Sequence, residues 1–203
     1  MTACDAPIAV PPNAIEYRQV TVLFVKVAQS MDVAAALGAE RFHEVMAALG
    51  NCAAMVVRRY GGIVDKVTGS GVVALFGTPV AVTDHAVRAC FAALDIQTET
   101  QCLSGHVENS DGVVVQLRAG LNSGRMLLEG DNPQGHTALG DDVGLAQRMQ
   151  SVAPPGGVML AESTARLVHT LAVLGEREMV KGTHAQVPAR RLISMAHGTL
   201  ALA

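Results

Sequence analysis

Asp65-Lys66-Val67-Thr68-Gly69-Ser70-Gly71-Val72-Val73-Ala74-Leu75-Phe76-Gly77 reads as two strands folded back on each other. The strands run over Ile63 to Thr68 and Val72 to Phe76, both rich in β-branched residues. Gly69-Ser70-Gly71 supplies the small residues that a tight hairpin turn needs. Just upstream, apolar side chains at Phe42, Val45, Met46, Leu49, Ala53, Val56 and Tyr60 follow helical spacing, and Gly61-Gly62 stops that helix. Further back, Val20 to Val27 is almost continuously apolar, as expected of a strand covered on both faces. Ser30 is the expected N-cap of the helix that follows, with Asp32 in its first turn.

Downstream of the hairpin, a second long helix is expected from about Val82 to Cys102, with Val87, Cys90, Phe91 and Leu94 on one face. Residues 104 to 112 read as a polar loop. Strands are expected near Val113 to Leu121 and Arg125 to Leu128, and a helix from Asp141 to just before Pro154-Pro155-Gly156-Gly157. The remainder reads as a strand, a short helix and two strands around Leu171 to Val180 and Val187 to Ile193. This order predicts an α+β fold with a ferredoxin-like βαββαβ palm, its helices on one face of an antiparallel sheet, plus extra C-terminal strands and helices. Residues 1–16 and 197–203 are expected to be flexible tails around one domain spanning 17–196.

Composition sets outer bounds. A chain of 203 residues that is half apolar can bury a sizeable core. Its net charge of −3 gives no polybasic signature, which argues against nucleic acid as a partner. No apolar run approaches the roughly 18–20 residues that cross a bilayer, so no membrane partner is expected. Cys4, Cys52, Cys90 and Cys102 lack a Cys-x-x-Cys spacing, and two of them fall in helical patterns. They read as reduced, buried thiols of a cytoplasmic protein. The N-terminus has neither a basic start nor an apolar signal core. The seven histidines form no zinc-ligand spacing, no P-loop is present, and Ser30, Ser104 and Ser123 lack a nucleophile-elbow context.

Five segments in order resemble the class III nucleotidyl cyclases, in the style of actinobacterial members, over roughly Arg18 to Leu192. They are Val20 to Val27, Asp65 to Gly77, Asp84 to Cys90, Arg118 to Gly124 and Thr137 to Met149; Val180 to Gly182 and Val187 to Leu192 look like the closing strands. The resemblance implies the nucleotide cyclase fold and a head-to-tail pair of domains, as a homodimer or a heterodimer with another cyclase domain, with ATP between them. It matches Lys66 to a base-reading lysine, Thr137 to a second base-reading position and Arg148 to a transition-state arginine. Gly144 stands where the family has an asparagine that steadies the ribose. Two aspartates hold the metal ions in the family, and here their positions carry Lys26 and Ser70.

Cyclisation in the family uses two cations, one activating the ribose 3′-hydroxyl and both gathering charge as pyrophosphate leaves. Carboxylates suit Mg²⁺ or Mn²⁺ because they are hard and anionic. Unit charges about 4 Å apart interact by about 4 kcal/mol at an effective dielectric of 20, so an ammonium at position 26 disfavours a dication by several kcal/mol. No cofactor is therefore assigned, and Mg²⁺ or Mn²⁺ follows only if the chain is an active adenylyl cyclase. The expected function is an impaired cyclase homology domain, dimerising or nucleotide-binding; the alternative is a working cyclase, in a homodimer or with a metal-binding partner.

Each site residue has a plainer reading. Lys26 is either a strand-end lysine snorkelling to solvent or a counter-charge for a triphosphate. Ser70 is a turn residue, Lys66 a solvated strand lysine, Thr137 a β-former, and Arg148 half of an ion pair. Asp141 and Asp142 read as helix-start carboxylates that favour the dipole, with displaced metal ligation as the weaker option. Gln29 replaces a glycine of the family's strand-to-helix turn, which narrows the approach of phosphate to backbone N–H groups.

Overall fold

In a computed structural model, the described residues are 16–132, 135–139, 141–182 and 185–196, and the side chains of 16, 128–132, 135–139 and 141 are outside the description. The palm begins with β1 (Glu16–Val27), α1 (Ser30–Leu37) and α2 (Ala39–Arg59). The hairpin β2 (Ile63–Thr68) and β3 (Gly71–Phe76), α3 (His85–Asp111) and β4 (Leu117–Asn132) complete it. The C-terminal part adds β5 (Gly135–Leu139), α4 (Asp141–Val152), β6 (Val158–Ala161), α5 (Glu162–Val168), β7 (Ala172–Lys181) and β8 (Gln186–Met195).

Eight strands form one sheet in the order β2-β3-β1-β4-β6-β8-β7, with β5 paired to β4. The β2-β3-β1-β4 part is antiparallel throughout, the expected ferredoxin-like order, and β4–β6 is the parallel junction to the added strands.

Strand alternation divides the core between two faces. Leu23, Val25 and Val27 of β1 pack with Val45, Leu49, Val56, Ala89 and Ile96 of α2 and α3. The alternate residues Val20 and Val22 pack with Val73, Leu75, Met126 and Ala146 of α4. So the palm helices share one face, as expected, and α4 covers part of the other. A Cβ on Gly120 of β4 would stand 1.9 Å from the Gln150 backbone nitrogen, so glycine there lets α4 lie against the sheet.

Several expected boundaries need correction. Residues 104–111 are not a loop but the last turns of α3, which starts at His85 rather than Val82. Val107 is buried beneath them, and Arg41 of α2 grips Asp111 at 3.0 Å. Gly112, at φ 68°, closes the helix in the left-handed conformation. A helix with so narrow an apolar stripe looks polar in one dimension. The two strands expected within 113–128 are one 16-residue strand, because Asn122, Ser123 and Gly124 pair with Val22, Thr21 and Val20 without a break. The N-cap of α1 is Gln29, and Ser30 is its first helical residue. Of the thiols, Cys90 is buried, Cys52 half-buried and Cys102 exposed; burial pushes the Cys90 thiol far up. Glu16 already belongs to β1, and the rest of the expected tails, with Cys4, lies outside the described residues.

Candidate functional site

The α4 side of the sheet carries Lys26, Lys66 and Arg148, while Ser70, in the hairpin turn beside Lys26, borders a pocket with Val27, Met46 and Leu49 on the α2 side. Lys26 follows Val20, Val22 and Phe24 on that face, at the exposed end of β1. Its register partner on β3 is Gly71, and the Val27 N–H donates to the Ser70 carbonyl at 2.9 Å. Lys26 and Ser70 are thus neighbours across one ladder. A Cβ on Gly71 would lie 2.1 Å from the Val25 carbonyl oxygen, so only glycine lets the hairpin approach β1 so closely. Lys66, exposed on β2, is the register partner of Val73 and so shares the face of Lys26.

On its other flank Lys26 is the register partner of Arg118 on β4. Side chains directly opposite on antiparallel strands have Cβ atoms about 4.5–5.5 Å apart, and like charges there are destabilising. Arg118 donates from a terminal nitrogen to the Ser151 carbonyl at 3.3 Å, while its buried Nε has no hydrogen-bond partner. No carboxylate pairs with Lys26 or Arg118 among the described residues. An ammonium, a guanidinium and a hydroxyl do not fit a hard dication. Asp142 is engaged elsewhere: its carboxylate accepts from Asn122 Nδ2 at 3.1 Å and lies against Gly124.

Gly144 and Arg148 lie one turn apart on α4 and border a groove of ≈ 460 Å³ with Lys181 and Gly182. Arg148 Nε donates to the Lys181 carbonyl, and a terminal nitrogen donates to Ser151 Oγ at 3.3 Å. The ion-pair reading of Arg148 therefore gives way to carbonyl and hydroxyl contacts. A Cβ on Gly144 meets nothing within 4 Å, leaving room for a side chain there. Thr137 sits in β5 as register partner of Glu129; its side chain and that of Asp141 are outside the described residues. Gln29 has φ 50° and ψ 41°, a conformation that glycine adopts without strain.

Sequence reasoning passed over Arg118, which adds a second cation to this face, and Lys181, whose carbonyl accepts from Arg148. Both lay within quoted segments, but only strand register reveals that Arg118 opposes Lys26. It also passed over a buried polar string. Thr21 Oγ1 lies 2.7 Å from His85 Nδ1 and 2.7 Å from Ser123 Oγ, which in turn is 2.9 Å from Thr164 Oγ1. All four are at most 4% exposed, so these hydroxyls link α3, β1, β4 and α5 out of reach of substrate.

The sheet order and the facing β1 end, β2–β3 hairpin and α4 define a nucleotide cyclase domain. The chain belongs to the adenylate and guanylate cyclase catalytic domain family, whose model matches residues 13–191. Putative adenylate cyclase 3 of Rhizobium meliloti (strain 1021) is 32% identical over 108 residues, 53% of this chain and 16% of the relative. Adenylate cyclase 1 of the same organism is 22% identical over 151 residues, 73% of this chain and 23% of the relative. The chain thus spans less than a quarter of these relatives' length. Among solved structures, the adenylyl cyclase CyaB from P. aeruginosa superposes with a TM-score of 0.83 at 19% identity, covering 91% of this chain and 98% of that one. The guanylate cyclase domain of RhGC from Catenaria anguillulae, in complex with GTP, gives 0.75 at 22% identity, covering 88% and 98%. At such identities these two likenesses speak for the fold.

No helix among the described residues is long and apolar enough to cross a membrane.

Proposed function

We propose that residues 17–196 form a catalytically impaired cyclase domain that serves as a dimerising or nucleotide-binding signalling module. The observation that carries this reading is the cross-strand neighbourhood of Lys26, Ser70 and Arg118. At the two positions of the family's metal carboxylates this chain offers an ammonium and a hydroxyl, with Arg118 opposite Lys26, and Asp142 is bound to Asn122. Dimerisation and ATP as ligand come from the family; Cys52, Cys90 and Cys102 as free thiols suit a cytoplasmic setting.

A second reading, an active adenylyl cyclase in a heterodimer, is favoured by the retained half-site. Lys66 is exposed on the α4 side of the sheet and Arg148 borders the α4 groove, and Thr137 belongs to the same set. In that arrangement a partner supplies both aspartates, and this chain supplies base recognition and Arg148. Gly144 leaves the ribose without its asparagine.

Purified chain incubated with ATP and Mn²⁺, alone and mixed with a cyclase domain that retains both aspartates, decides between them. The impaired reading expects no cyclic AMP from the chain alone. Cyclic AMP formed only in the mixture, and lost in Arg148→Ala, establishes the heterodimer instead. Turnover by the chain alone refutes both.

A further inference from the structure

On the face of the sheet opposite α4, three arginines surround one carboxylate. Glu162, at the start of α5, lies 3.6 Å from Arg166 Nε, 3.6 Å from Arg177 Nε and 3.8 Å from Arg190 Nε. Arg177 and Arg190 are register partners on β7 and β8, a like-charge pair directly opposite on one sheet face. Charge-assisted N–H···O bonds close to about 2.7–2.9 Å, and none of these contacts does so. Glu162 Oε2 is buried without a hydrogen-bond partner, so one carboxylate is spread over three guanidiniums and satisfies none.

The cluster opens on a groove of ≈ 390 Å³ lined by Glu162, Arg166, His169 and Arg190, with Ala165, Ala172 and Leu174 as its apolar wall. Among the described residues the terminal nitrogens of Arg166 and Arg177 have no hydrogen-bond partner, and Arg190 reaches only the Gly175 carbonyl, at 3.5 Å. His169 Nδ1 lies 2.7 Å from the Arg166 carbonyl and must donate to it. That assigns the Nδ1-protonated tautomer to the neutral ring and leaves Nε2 as the remaining polar atom.

We infer that this groove binds a small phosphorylated ligand through Arg166 and Arg190, which line it, with Arg177 adding positive charge from behind Glu162. Three guanidiniums against one carboxylate leave two positive charges uncompensated, and planar N–H forks suit the tetrahedral oxygens of a phosphate. The groove has the size of a small-molecule site. It lies on the opposite face from Lys26, Lys66 and Arg148, so it is separate from the cyclase cleft. Glu162 acts as the resident anion that the three arginines share and that an incoming phosphate competes with.

Isothermal titration of the full chain with inorganic phosphate, pyrophosphate and AMP, in EDTA and low salt, tests this. Saturable binding is expected for at least one of the three. Arg166→Gln, at an exposed position lining the groove, weakens it about tenfold, the loss of one charge-assisted contact. Glu162→Gln removes the competing carboxylate and tightens it. AMP binding more tightly than phosphate identifies a nucleotide as the source; equal affinities identify the phosphoryl group alone. Absence of binding at millimolar concentration of all three probes overturns the inference, as does binding indifferent to both substitutions. Circular dichroism of each variant separates lost affinity from lost fold.

Discussion

Installing carboxylates at the β1 end should create a metal site, and the size of the effect follows from the register. Lys26→Asp changes the local charge by two units beside Ser70 and opposite Arg118. Unit charges about 4 Å apart interact by about 1 kcal/mol even at the dielectric of bulk water, and a dication doubles this. The swing at position 26 is then about 4 kcal/mol in the fully solvated limit, and Ser70→Asp adds about 2 kcal/mol. Salt and side-chain mobility erode these values, yet at least about a hundredfold in Mn²⁺ affinity remains for the double variant. Titration calorimetry with Mn²⁺ on the unaltered chain, each single variant and the double variant measures it. A second readout is independent of metal. Asp at position 26 replaces a like-charge pair with Arg118 by an opposite-charge pair, a gain of about 1 kcal/mol, or about 2–4 °C in Tm. If the unaltered chain binds Mn²⁺ as tightly as the double variant, the electrostatic reasoning is wrong.

Other consequences are as direct. Burial holds the His85 imidazole below its usual 6.5, against the weaker opposing pull of Asp84. The unfolded state then binds the extra proton, so stability falls as pH drops through about 6.5; Tm measured from pH 8 to 5 shows this, and His85→Asn flattens it. Gly144→Ala puts a methyl into open space on a helix and should add about 0.5–1 kcal/mol by denaturant titration. Gly120→Ala drives a methyl into the α4 backbone, 1.9 Å from Gln150 N, and should cost about 3 kcal/mol or prevent folding.

How much of this could be read from the residues alone follows from the range of each signal. The hairpin was legible because its glycines flank Ser70 within a run of β-branched residues, all local information. The second half of α3 was not, because Ser104 to Asp111 is polar and its helicity depends on burying Val107 and engaging Arg41 of α2. The unbroken β4 was hidden by Asn122-Ser123-Gly124, which resembles a turn until Ser123 is seen bonding Thr21 and Thr164. Within the candidate site, Lys26, Ser70 and Lys66 were visible against the family motif. Arg118 opposite Lys26, and the arginines around Glu162, arise from register between distant segments, which no single stretch displays.

The most direct test of the metal argument is crystallographic. Crystals soaked in Mn²⁺ with a non-cyclisable ATP analogue should show no anomalous peak beside Lys26 and Ser70. Two ordered manganese ions there would contradict the account.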